Sequence, residues 1–208
     1  MEYRRSCIVD RMTTIMHRSN CRGVTLIELL VVITIVGLVI IAVGFEYSGW
    51  QGRYRIESQV KQLHSDLMNA RARAMERKRA HFISFPAINS YTLVEDTNEN
   101  NAYNVGVDAA LASYPKLTEY GMSATIETLN NDGTIAAVTA ATLTDVVVNF
   151  GIRGLISSAT LNIDPATPKK RGVIHITSTA NPDYDCIIIE QTRIITGQTN
   201  SGGECVAK

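Results

Sequence analysis

The pattern of apolar and polar positions begins with one long apolar run. Residues 24–45 carry a single charged side chain, that of Glu28. About 20 consecutive apolar residues in a helix are enough to cross a hydrocarbon layer roughly 30 Å thick. The run therefore predicts a transmembrane helix over residues 24–45. A carboxylate inside a membrane span is costly and marks a functional residue, so Glu28 needs a partner of opposite charge.

A second pattern follows the apolar run. Gly44, Gly49 and Gly52 weaken the join between the two, so we expect a bend there but no end of the helix. Apolar residues recur at intervals of three and four positions, which is the spacing of one face of an α-helix. The members of this stripe are Ile56, Val60, Leu63, Leu67, Ala70 and Ala74. We therefore expect residues 46–79 to form an amphipathic extension, so that one helix runs from about Val24 to Arg79.

From Ala80 onwards the pattern changes to short alternating or apolar runs that are separated by turn residues. The predicted strands are residues 80–85, 91–94, 123–128, 145–150, 160–163, 172–177, 185–190 and 192–196. No helical pattern separates them, which favours an antiparallel sheet over a parallel βαβ arrangement. The predicted fold class is α+β: a long N-terminal helix, membrane-spanning in its first half, packs through its stripe on a β-rich domain of residues 80–208.

Charge adds an orientation to this picture. Residues 1–23 hold five arginines against two acidic side chains, and the whole chain has a formal charge of zero. Basic residues that flank a membrane span mark its cytoplasmic side. The C-terminal domain would then lie in the periplasm. Met12 and Met16 are alternative starts to Met1, and the sequence does not choose between them.

Residues 22–30 read RGVTLIELL, and this stretch resembles the processing site of type IV prepilins and type II secretion pseudopilins. The resemblance implies that residues 1–23 are a leader, that a prepilin peptidase cleaves after Gly23, and that Val24 is methylated. It also implies that Glu28 pairs with the α-ammonium group of Val24 during assembly with other pilin subunits. The alternative is a secretory signal or plain signal anchor. The apolar run is too long for a secretory signal, and residues 42–44 are a poor cleavage site.

The amphipathic segment carries a second resemblance. Residues 63–74 read LHSDLMNARARA and are similar to the signature of the GspH/FimT branch of pseudopilins and minor pilins. The matching residues are Leu63, Asp66, Leu67, Ala70, Arg71 and Ala74. The stretch from Phe150 to Gly154 also resembles the F-x-x-x-G turn of that branch. The basic residues 71–79 are interpreted as a solvated helix face, with a binding surface as the alternative.

Cysteine usage points to a single cross-link. Cys7 and Cys21 lie in the predicted leader, which leaves Cys186 and Cys205 in the exported part. An isolated pair in an oxidising compartment is most simply a disulfide. No His or Cys neighbours complete a metal site. No catalytic motif is present either, so the sequence predicts neither an enzyme nor a cofactor.

Two functions remain, and both follow from the resemblance. The first is a minor pseudopilin of a type II secretion system, held in the inner membrane and assembled into a periplasmic pseudopilus. The alternative is a FimT-like minor pilin of a type IV pilus that binds DNA during uptake. Candidate nucleic-acid contacts are the cluster Lys169, Lys170 and Arg171, expected at an exposed turn, and Arg193. A major pilin is a third reading, which the signature in residues 63–74 disfavours.

Overall fold

The computed structural model describes residues 24–161, 163–164 and 169–208, with the side chains of residues 42–48 left out. The chain divides into two units, one ending at Gly44 and the other running from Phe45 to Lys208. The predicted leader, including Gly23, lies outside the described residues.

The N-terminal element is a long helix, α1, which covers Leu26–Arg77. Its ends lie within two residues of those predicted from the apolar pattern. The predicted membrane span at residues 24–45 reaches into positions whose side chains are not described. Within the described residues, no helix combines the length and the apolar character that crossing a membrane requires.

The unit from Phe45 to Lys208 contains the strands. Their bounds are β1 His81–Ala87, β2 Ser90–Glu95, β3 Ala109–Ala110, β4 Lys116–Leu117, β5 Met122–Leu129, β6 Ile135–Ala141, β7 Val147–Phe150, β8 Ile156–Ser157, β9 Lys169–Ile176, β10 Cys186–Ile189, β11 Ile194–Thr199 and β12 Cys205–Ala207. All the pairings between these strands are antiparallel. The α+β class predicted from the sequence is therefore confirmed.

The strands form two sheets, whereas the sequence predicted one. The first sheet has the order β3-β2-β1-β7-β8, with β4 also paired to β2. The second has the order β12-β11-β10-β9-β5-β6. Every residue of the predicted helix stripe, from Ile56 to Ala74, is fully buried. The stripe shares one core with residues of both sheets, such as Phe85 and Ile187, so the same face of α1 supports both.

Two local predictions in this unit are wrong. Residues 160 and 161 were expected to open a strand but form a turn. Leu161 is nevertheless fully buried, and a Cβ built on Gly172 would lie 2.6 Å from its Cδ1 atom. The apolar residue at 161 therefore fills the space above a glycine instead of belonging to a sheet. The basic cluster at 169–171 was expected at an exposed turn, but it opens strand β9 and is half-buried.

Candidate functional site

The N-terminus of α1 is closed by a threonine cap. The Thr25 Oγ1 atom accepts a hydrogen bond of 3.3 Å from the Glu28 backbone N–H. The Leu29 N–H donates to the Thr25 carbonyl at 3.1 Å. A threonine followed three residues later by glutamate is the spacing of a capping box, and a carboxylate in the first turn also complements the helix dipole. The cap at Thr25 places the first helical residue at Leu26, two residues after Val24, so Glu28 stands in the first turn.

The surface of this first unit is apolar and uncovered. Each described apolar residue of α1 from Leu26 to Ile41 is exposed, and Leu26 keeps 82% of its surface accessible. Glu28 is exposed among them and makes no ion pair in the described part of the chain. An apolar surface of this extent marks a site of protein or membrane interaction.

The Asp66 carboxylate anchors the amphipathic part of α1 to the first sheet. It accepts a 2.6 Å hydrogen bond from the Tyr91 hydroxyl on β2 and two from the Lys116 ammonium on β4, at 2.7 and 2.9 Å. Burial, followed by the hydrogen bond to Asp66, raises the pKa of Tyr91 far above its usual value. Burial together with the Asp66 charge raises the pKa of Tyr114 to about 12. Both phenols therefore stay protonated, and the carboxylate charge is compensated by Lys116.

Arg71 connects the same helix to the second sheet. Its Nη1 atom donates to the Thr192 carbonyl in the turn between β10 and β11, at 2.8 Å. Gly154 lies beside it with a φ of +73°, and a Cβ at that position would come within 2.7 Å of the Met75 sulfur. The turn after Phe150 thus requires glycine for both its backbone conformation and its closeness to α1. Asp66 and Arg71, which both lie in residues 63–74 of α1, therefore connect the helix to the first and the second sheet, respectively.

Three of the four candidate nucleic-acid residues, Lys169, Arg171 and Arg193, are paired with carboxylates. Glu190 accepts hydrogen bonds from Lys169, at 2.7 Å, and from Arg193. Burial alone raises the pKa of Glu190, but the hydrogen bonds from Arg193 and Lys169 outweigh it, so the net pKa lies below its usual value. Together with Arg171 and Asn131 these residues line an open recess of about 440 Å³. Part of the positive charge of the cluster is therefore neutralised within the fold.

Arg171 has a different, fully internal partner. Its guanidinium lies 2.6 Å from the carboxylate of Glu127, its register partner on β5, and Glu127 is fully buried. The second carboxylate oxygen of Glu127 accepts the Cys205 N–H at 2.8 Å, and the Arg171 guanidinium donates to the Cys205 carbonyl at 3.1 Å. The ion pair thus satisfies both backbone groups of Cys205. Buried polar groups need such partners, because an unpaired one is destabilising.

A disulfide also holds Cys205 in place. Cys186 on β10 and Cys205 on β12 are bonded, as the sequence predicted, and their Cα atoms are 6.1 Å apart. Both are fully buried in a small cluster with Val173 and Ile188, separate from the main core. The C-terminal strand is therefore held on the second sheet by one covalent bond and by the Glu127–Arg171 pair.

Residues 18–44 match the family model of the prokaryotic N-terminal methylation motif. This motif indicates a type IV pilin-like protein. It implies processing by a prepilin peptidase and assembly with other pilin subunits, and it points to a membrane-anchored precursor. No curated protein and no solved structure is detectably similar to the chain.

The contacts described above use several residues that the sequence did not single out. They are Thr25 at the helix cap, Tyr91 and Lys116 around Asp66, and Glu127 and Glu190 around the basic cluster. Only Thr25 carried a readable signal, in its spacing to Glu28. The others act through contacts between strands distant in sequence. No group of three or more His, Cys, Asp or Glu side chains among the described residues is arranged to hold a metal ion.

Proposed function

We propose that this type IV pilin-like chain is a minor pseudopilin of a type II secretion system. The observation that carries the proposal is the methylation motif at residues 18–44, which includes the capped start of α1 and its exposed apolar residues. In this proposal residues 1–23 are the leader, the apolar helix holds the precursor in the inner membrane, and the β-rich domain lies in the periplasm.

Glu28 would act in assembly. Cleavage after Gly23 would leave the α-ammonium group of Val24 four residues away from the carboxylate along the chain. A carboxylate in an apolar environment is strongly unfavourable unless an opposite charge compensates it. The ammonium group of the same or a neighbouring subunit would supply that charge. A subunit that docks in the correct register would therefore be favoured over one that leaves Glu28 unpaired.

The assignment to a minor rather than a major subunit rests on residues 63–74. Their resemblance to the GspH/FimT signature is supported by the structural roles of Asp66 and Arg71, which hold α1 to the two sheets. The fold would transmit assembly work from the helix to the periplasmic domain and catalyse no reaction. We propose prepilin peptidase and the other pseudopilins as its partners.

The alternative, a FimT-like minor pilin that binds DNA, has less support. DNA binding rests on several phosphate contacts from lysine and arginine side chains. Lys169 and Arg193 share Glu190, and Arg171 is engaged by Glu127, so three of the four candidate contacts already have carboxylate partners. If the alternative holds, replacing Lys169 and Lys170 by alanine, with Arg171 kept because it compensates the buried Glu127, weakens DNA binding and flattens its salt dependence.

Deletion of the gene and complementation distinguish the two functions. We expect deletion to stop release of a secreted enzyme into the medium while DNA uptake continues. Complementation with Glu28→Ala should fail, because the variant lacks the charge partner for the N-terminus. Thr34→Ala is the matched control on the same exposed helix and should restore secretion. Normal secretion with lost DNA uptake in the deletion strain would instead favour the pilus.

A further inference from the structure

Strand β6 (Ile135–Ala141) is an open edge of the second sheet. Among the described residues it pairs only with β5, so its outer side presents unpaired backbone N–H and C=O groups. The five consecutive residues 136–140 are exposed on both faces of the strand. An edge of this kind is a template for pairing with another strand.

The edge carries few of the devices that prevent such pairing. Proteins commonly protect an edge strand with charged side chains, proline or a bulge. Residues 133–144 contain no charged residue and no proline. The register with β5 shifts once, between Thr128 and Leu129, which makes Ala136 the extra residue of a bulge. Residues 137–141, which follow the bulge, keep a regular register with β5 and leave their outer edge open for pairing with another strand.

We propose that β6 pairs with β6 of a second copy of this chain. The two strands run antiparallel about a two-fold axis at Thr139, and the two sheets become one continuous sheet. Such a contact is isologous: the same surface serves both partners. Ala137 then lies opposite Ala141, and Val138 lies opposite Ala140.

The side chains of β6 fit a second copy on both faces. The directly opposed pairs are Ala with Ala, Val with Ala and Thr with Thr, all small enough to avoid steric conflict. No charged residue meets a like charge, because Asp132 and Asp145 lie outside the paired segment. Cross-strand Thr–Thr pairs also add a favourable contribution relative to Ala–Ala pairs.

The expected contact is small. Five residues of main-chain pairing with small side chains bury less area than the roughly 1,200 Å² typical of stable interfaces. The pairing is therefore weak between free copies. It gains strength where another contact already holds two copies close together, since the second contact is then intramolecular.

Site-directed cross-linking tests the proposal on the purified full-length chain, with Cys7 and Cys21 replaced by serine. Directly opposed residues of an antiparallel pair have Cα atoms about 4.5 or 5.5 Å apart, which suits a disulfide. Thr139→Cys should form a disulfide-linked dimer under mild oxidation at least tenfold faster than Val105→Cys. Val105 is 83% exposed and lies outside the strand, so it reports random collision.

Two further variants define the register and guard against misfolding. Val138→Cys should cross-link more slowly than Thr139→Cys. Residue 138 of one copy lies opposite Ala140 of the other, so the two residues at position 138 are diagonal neighbours at about 7–8 Å. Adding Ala140→Lys to Thr139→Cys should reduce the rate at least fivefold, whereas adding Asn131→Lys, outside the strand, should not. Equal rates for Thr139→Cys and Val105→Cys would overturn the proposal.

Discussion

At the scale of single residues, the chain depends on carboxylates that each receive more than one donor. Asp66 is bonded by Tyr91 and Lys116, and Glu127 by Arg171 and the Cys205 N–H. A buried ion pair is a weak source of net stability, because desolvation offsets much of the attraction. Breaking it by removing one partner is strongly destabilising, because the other charge stays buried.

Arg171→Ala tests this point at Glu127. We expect it to lower the free energy of unfolding by about 3–5 kcal/mol, because a fully buried carboxylate loses its counter-ion. Urea unfolding of the purified chain, followed by circular dichroism, measures the change. Arg193→Ala is the matched control, since Arg193 is exposed and Lys169 still compensates Glu190. Equal losses for the two variants would show that burial of the pair is unimportant.

Glu190 predicts a dependence of stability on pH. Its pKa in the folded chain lies below its usual value, whereas the unfolded chain titrates near 4.3. The unfolded state therefore binds more protons as the pH falls, and the stabilisation is present above the unfolded pKa and lost below it. The difference in melting temperature between the unmodified chain and Glu190→Gln should be largest above about pH 5 and narrow towards pH 3. A constant difference over that range would contradict the assignment.

At the scale of elements, the disulfide closes the C-terminal strand onto the sheet. The cysteines are 19 residues apart, and closing a loop of that size stabilises a fold by about 3 kcal/mol in the chain-entropy model. The double variant Cys186→Ser/Cys205→Ser should lose stability of that order in urea unfolding. The stability of this double variant should not change when a reductant is added, whereas Cys7→Ser/Cys21→Ser should respond to reductant as the unmodified chain does. Reductant-independent stability of the unmodified chain would contradict the bridge.

Periodicity predicted some elements and missed others for identifiable reasons. The helix stripe from Ile56 to Ala74 was readable because one face of α1 is buried along its whole length. Strand β6 was missed because its exposed sequence does not alternate and is dominated by alanine, which has a low β propensity. Strands β3, β4 and β8 have only two residues each, too few to show a period.

At the scale of the whole molecule, the sequence displays the N-terminal motif directly but does not display the contacts of the domain. Gly23, Val24 and Glu28 lie within a short local motif, which a sequence displays directly. The division into two sheets, and the carboxylates that bond Lys169, Arg171 and Arg193, depend on the order of strands in space. Alternating patterns reveal which side of a strand is buried but not which strand lies beside it.

Processing of the chain as a prepilin can be tested by intact mass measurement combined with N-terminal sequencing. The full chain should be produced with a prepilin peptidase, and in a matched strain without it. We predict a mature protein that begins at Val24, carries one extra methyl group and gains two hydrogens when its disulfide is reduced. Without the peptidase the leader should remain. A mature start at another residue, or an intact leader in the presence of the peptidase, would contradict the account.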